Sequence, residues 1–127
     1  MSSPSSEHRG EGSIAAAISN LVVRVTNEYT GRGPTKARTY MNDDLVTVLL
    51  QDTLTKGERS LVRDGKQELV LATRLAFQAT MREDLIAGLE QLTGRKVRAF
   101  MSSNHMEPDV AVEIFVLDDR AEPPHAP

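Results

Sequence analysis

This sequence predicts an α+β domain. Two αββ repeats would share one four-stranded antiparallel sheet, with the helices packed on one face. Three observations predict it. Apolar residues recur at helical spacing in two long segments, Ile14, Ile18, Leu21, Val22, Val25, Tyr29 and then Val70, Thr73, Phe77, Met81, Leu85, Gly88, Leu92. Each segment stops at a glycine, and two strand-like runs follow it. The two halves also match in sequence. Tyr29-Thr30-Gly31-Arg32 with the basic residues after it pairs with Leu92-Thr93-Gly94-Arg95-Lys96-Val97-Arg98, and Asp43 to Asp52 pairs with Pro108 to Asp119. Only two copies of so long a unit occur, which argues against a solenoid. A single hairpin is marginal alone, so the two copies need each other.

Taken in order, residues 1–12 are polar and read as a disordered tail without the apolar run of a signal peptide. Ser13 can cap the first helix, and Gly31 and Pro34 end it. The first strand covers Lys36 to Met41, with Ala37, Thr39 and Met41 on one side and Arg38 and Tyr40 on the other. Asn42-Asp43 supplies a turn, and Leu45 to Gln51 makes the second strand. Thr55 and Glu58 form a capping box ahead of a short helix that Gly65 closes. A long helix runs from about Lys66 to Leu92, with Leu71, Leu75 and Ile86 as a second apolar stripe. Lys96 to Met101 is the third strand, Ser102 to Pro108 a loop, and Asp109 to Leu117 the fourth strand. On that last strand either Ile114 and Val116 or Phe115 and Leu117 face away from the helices, which favours a homodimer through the uncovered face. Residues 13–119 thus form one domain, and the proline-rich residues 120–127 a disordered tail.

The bulk composition narrows the function. The chain of 127 residues has no cysteine, so disulfides, thiolate catalysis and cysteine zinc sites are excluded. A net charge of −3 and 4% aromatic residues make a nucleic-acid partner a poor fit. The longest apolar runs are too short to span a bilayer, so any membrane role is peripheral. A cytoplasmic location, or one at the inner face of the membrane, is the expectation.

The main candidate site is the pair of basic turns. Gly31, Arg32, Gly33, Lys36 and Arg38 make one, and Arg95, Lys96 and Arg98 the other. Glycines let backbone amides approach an anion, and arginine offers a planar fork for carboxylate or phosphate. Related by the repeat, the two turns could cradle one anion or an acidic partner. The plainer reading is a helix C-cap with solubilising strand charges, since a helix C-terminus favours cations and repels anions. Asp43-Asp44 and Asp118-Asp119 read as turn formers rather than a metal site. His105 lacks an orienting partner for catalysis. Tyr40 and Phe100, beside Arg38 and Arg98, could stack a planar ligand or pack an edge. Arg74, Gln78 and Arg82 read as a solvated helix face. The expectation is a non-enzymatic protein without cofactor or metal.

One combination of residues is more specific. The run Ile18 to Asp52 with Gly31-Arg32-Gly33-Pro34-Thr35-Lys36, then Leu54-Thr55 with Glu58, Arg74 to Phe77, and Thr93-Gly94-Arg95 resembles the MpsC-like family of small bacterial proteins. The likeness covers about Ile14 to Asp119. It implies an accessory role beside the membrane subunits of a proposed sodium-translocating, membrane-potential-generating system. It carries over no catalytic residue. The chain lacks a transmembrane segment and intramembrane acid, so it would act as a partner or regulator of other subunits. The alternative is a cytosolic ligand-sensing domain for an anionic metabolite or nucleotide.

Overall fold

The computed structural model describes residues 5–119. Its elements run α1 (Ser5–Thr30), β1 (Lys36–Asn42), β2 (Leu45–Gln51), α2 (Lys56–Arg63), α3 (Gln67–Thr93), β3 (Val97–His105) and β4 (Val110–Leu117). The strands form one antiparallel sheet in the order β1-β2-β4-β3. Each repeat thus contributes a hairpin, and the second strands of both hairpins meet in the middle. The α+β reading and the two-repeat sheet hold.

Alternation along the strands decides what lies inside. Val46, Val48 and Leu50 of β2 and Ala111, Phe115 and Leu117 of β4 are buried beneath the helices. Ile18, Leu21, Val22 and Val25 of α1, with Met81, Leu85 and Leu89 of α3, close over them. Leu21 faces Gly88, where any side chain would collide with it: a Cβ would sit 2.5 Å from a Leu21 methyl. That glycine sets how closely the two helices cross. On the opposite face Thr47, Leu49, Val112, Ile114 and Val116 are only half-buried, flanked by exposed Tyr40, Leu45 and Met101. Ile114 and Val116 are therefore the outward pair, and no described element covers them.

Local signals behave as the sequence indicates. Gly31 and Gly94 adopt left-handed φ of 81° and 71°, and Asp43 turns the first hairpin at φ 56°. The Thr55–Glu58 capping box is complete.

Two boundaries and one register differ. α1 begins at Ser5, so Ser13 lies within it instead of capping it. The preceding residues have no apolar period, but Glu7 and Arg9 suit a helix, and extending a formed helix costs little. Residues 1–4 and the expected tail at 120–127 lie outside the described residues. β3 continues to His105 because Ser102, Ser103 and Asn104 pair with Glu113, Val112 and Ala111. Only the tip of the expected loop remains, where the His105 ring bonds the Pro108 carbonyl at 2.8 Å. Finally, the register shifts between Val97 and Ala99, making Arg98 the extra residue of a bulge. The bulge inverts the alternation and turns Phe100 inward, against Phe115 with ring centroids 4.9 Å apart. Tyr40 stays on the open face, so the two aromatics do not form one array. Arg82 lies over the Phe100 ring instead, at 5.7 Å.

Candidate functional site

The two basic turns share one construction. In each, a threonine one residue before the capping glycine folds back. Thr30 Oγ1 donates to the Thr26 carbonyl and accepts from the Arg32 amide. Thr93 Oγ1 does likewise with the Leu89 carbonyl and the Arg95 amide. The arginine that follows then reaches the end of its own repeat. Arg32 donates to the carbonyls of Asp52 and Leu54 at 3.2 and 2.7 Å. Arg95 donates to the carbonyls of Asp118 and Asp43 and pairs with the Asp44 carboxylate at 2.6 Å.

The strand register puts these turns far apart. Arg32 stands where β2 ends, and Arg95 stands at the β1–β2 hairpin, the other end of the sheet. The structure does not bring them together around one anion. Their guanidinium groups satisfy backbone carbonyls, which are numerous where strands end. Gly31 supplies the left-handed turn, and Gly33 packs on α1, where a Cβ would lie 3.1 Å from the Val23 carbonyl oxygen. The side chains of Lys36, Lys96 and Arg98 are exposed and make no hydrogen bond or ion pair among the described residues. Arg38 is exposed with its guanidinium 3.4 Å from the Tyr40 hydroxyl, which holds its pKa up. Asp44 is taken by Arg95. Among the described residues no group of three or more acidic or histidine side chains could hold a metal ion.

The enclosed chemistry lies elsewhere, at the Arg32 end. Between α1, α3 and the sheet is a cavity of about 240 Å³. One of its walls is the chain between β2 and α3, which polar anchors fix in place. Asp109 accepts from the Thr53 amide and hydroxyl and from the Leu54 amide, at 2.8 to 3.0 Å. Burial pushes the Asp109 carboxyl up, but those bonds and the nearby Arg59 outweigh it and hold it below the usual range. Arg74 binds the same segment from α3. It donates to the Thr53 hydroxyl and carbonyl and to the Glu58 carboxylate, at 2.9, 2.6 and 2.9 Å. Glu58 thus serves the capping box and the ion pair with one oxygen. The Arg74 Nε is buried without a partner.

Deeper in the cavity is Glu113, 2% exposed on central strand β4. It bonds the Ser102 hydroxyl on β3. Burial drives its carboxyl up to about 7, against the lowering influence of Ser102, Gln78 and the Arg74 charge. Gln78 and Asn104 exchange both amide bonds at 3.1 Å, tying α3 to β3 over the same space.

Arg74 and Gln78 are therefore inward groups, not a solvated face; only Arg82 is exposed. The reason is spacing. Positions 74, 78, 81 and 85 lie on one helical line, and Met81 and Leu85 are core. Glu113 likewise shares the parity of Ala111, Phe115 and Leu117. Both signals were present in the sequence.

A family model described as "Na+-translocating membrane potential-generating system (MpsC)" matches residues 10–119. Two relatives from Bacillus subtilis (strain 168) are similar along most of the chain. "Uncharacterized protein YrhF" is 23% identical over 103 residues, covering 80% of this chain and 84% of the relative. "Uncharacterized protein YbcI" is 28% identical over 113 residues, covering 86% and 89%. No solved structure matches the chain.

Proposed function

The chain belongs to the MpsC family, and from that membership we propose that it is a non-enzymatic accessory protein of a membrane ion-translocating system. It works at the cytoplasmic side as a homodimer. No helix among the described residues is long and apolar enough to cross a membrane, so the ion path belongs to other subunits. The observation that carries this reading is the open sheet face. An antiparallel sheet with one wet face normally alternates apolar-in with polar-out. Here the outward residues of the two central strands are Leu45, Leu49, Val110, Val112, Ile114 and Val116, with Thr47 between them and Gln51 at one end. Such a face calls for another protein. Its two central strands carry no charged side chain there, so a second copy meets them without like-charge repulsion. That leaves Lys36, Lys96 and Arg98, at the sheet ends, to meet an acidic surface of the transport subunit.

Crosslinking in native cells with membrane fractionation tests this. The expected product joins the chain to a multi-spanning ion-transport subunit, and Lys96→Glu with Arg98→Glu removes it. Arg32 and Arg95 are unsuitable for that test because they hold the fold. Ile114→Lys should convert a dimer to a monomer in analytical ultracentrifugation. Recovery only as a soluble species would defeat the accessory role.

The cavity favours a second reading, a cytosolic domain that senses an anionic metabolite. A ligand-dependent rise in melting temperature is its signature.

A further inference from the structure

The walls of the cavity are divided. Pro34, Leu50, Phe77 and Met81 make an apolar side, and Arg74, Glu113 and threonine hydroxyls a polar one. Its volume of about 240 Å³ exceeds the ~150 Å³ at which a hole in a protein already accepts benzene. One ring or a short chain with a polar head therefore fits.

Charge selects the head. Arg32 and Arg74 both line the cavity, as do Glu58 and Glu113. Glu58 offsets Arg74 in the ion pair. Arg32 meets only neutral carbonyls, so one positive charge stays uncompensated whenever Glu113 carries its proton. A cation would meet two guanidinium groups, and an anion is drawn to them.

We infer that the cavity binds a small monocarboxylate with an apolar body, its carboxylate held on the side lined by Arg32 and Arg74 and its body lying on Phe77 and Met81, with Glu113 making the binding proton-linked. This deepens the sensing reading and rests on it; it is independent of any membrane partner. The linkage has a definite sign. The charged groups around Glu113 are Arg74 from α3, Glu58 from α2 and Arg32 from the α1–β1 connection; β3 brings neutral Ser102 and Asn104, α1 only Thr26 and Thr30, and β2 only Val48 and Leu50. Glu113 titrates at about 7 when the cavity is empty. A carboxylate bound beside it raises that value further, so binding takes up a proton. Affinity is full below the empty-state value and falls above it, towards about tenfold per pH unit.

The test uses benzoate, benzyl alcohol and inorganic phosphate as probes on the full chain, by calorimetry and thermal shift between pH 6 and 8. Benzoate should bind about tenfold more tightly at pH 6 than at pH 8, with proton uptake. Benzyl alcohol should bind more weakly and phosphate not at all. Ala111→Leu, which fills the cavity, should abolish benzoate binding while the protein still melts cooperatively. Thr26→Leu does the same from the α1 side should Ala111→Leu fail to fold. Glu113→Gln should bind benzoate with a flat pH profile, and Lys96→Glu with Arg98→Glu should leave binding intact. Benzoate that survives both filling variants but is lost in the Lys96 and Arg98 variant would overturn the inference and leave the sensing reading standing on the basic turns. The same holds if only phosphate binds. Pocket binding with no pH dependence would overturn the role of Glu113, and no binding by any probe would sink both readings.

Discussion

The two ends of the sheet begin from the same turn and finish differently. At both, a threonine bridges a helix end to an arginine amide, and the arginine ties off its repeat. At the Arg95 end the tie is final: the side chain meets Asp44 and two carbonyls, and the β1–β2 hairpin closes over it. At the Arg32 end the chain leads from the second strand towards the next repeat. It runs on through Thr53, Leu54 and α2, and that segment is held in place by Asp109 and Arg74. The same turn therefore seals one end and frames a cavity at the other. An inserted segment, anchored by polar groups that must stay satisfied, has turned one end of a symmetric core into a chamber.

The largest expected effect probes the chamber alone. Glu113 titrates near 4.5 when unfolded and at about 7 when folded. The fold thus favours its neutral form and disfavours its charged one. The stability it permits is whole below pH 4.5 and lost as pH rises to 7. The loss is about 3 kcal/mol. In urea melts across that range, wild type should weaken relative to Glu113→Gln; parallel curves would mean Glu113 is better solvated than its burial implies. Next is the contrast between the arginines. Arg95→Met should cost about 2 kcal/mol, because its guanidinium is the side chain that joins Asp43, Asp44 and Asp118. Arg32→Met should cost about 1 kcal/mol, because Asp109 and Arg74 hold the same segment independently. Equal losses would break the contrast between a sealed and a framed end. The smallest effect sharpens the symmetry: Thr30→Val and Thr93→Val should each cost about 0.5–1 kcal/mol, equally, since each loses one bridging hydroxyl.

What could be read from the sequence followed from local rules. Gly31 and Gly94 end helices because only glycine enters the left-handed region without strain. Thr55 and Glu58 announce a capping box at fixed spacing. Ile114 and Val116 had to share a face, although alternation alone left open which face was covered. What stayed hidden depended on the partner surface. Phe100 was assigned from its match to Tyr40, and the bulge at Arg98 inverted it, as a one-residue slip always does. Arg74 and Gln78 looked solvated because charge and polarity usually mean exposure. Their alignment with Met81 and Leu85 argued the opposite and was the better guide. Arg32 and Arg95 looked like ligand-binding groups, and whether such a residue holds a ligand or a strand end is invisible until the carbonyls around it are placed.

The meeting of β2 and β4 at the centre of the sheet also shapes how this chain must fold. Each hairpin joins near neighbours in sequence, but the central pairing brings Leu45–Gln51 to Val110–Val116 across the whole of α2 and α3. That closure carries the greatest entropic cost and has to follow or accompany the formation of α3. Until it happens, both hairpins carry an unpaired inner edge of aliphatic strand, an invitation to pair with another chain. A newly made copy is thus most exposed to aggregation after its first hairpin has formed and before its last strand is available, and a chain cut between the repeats keeps two hairpins and neither core.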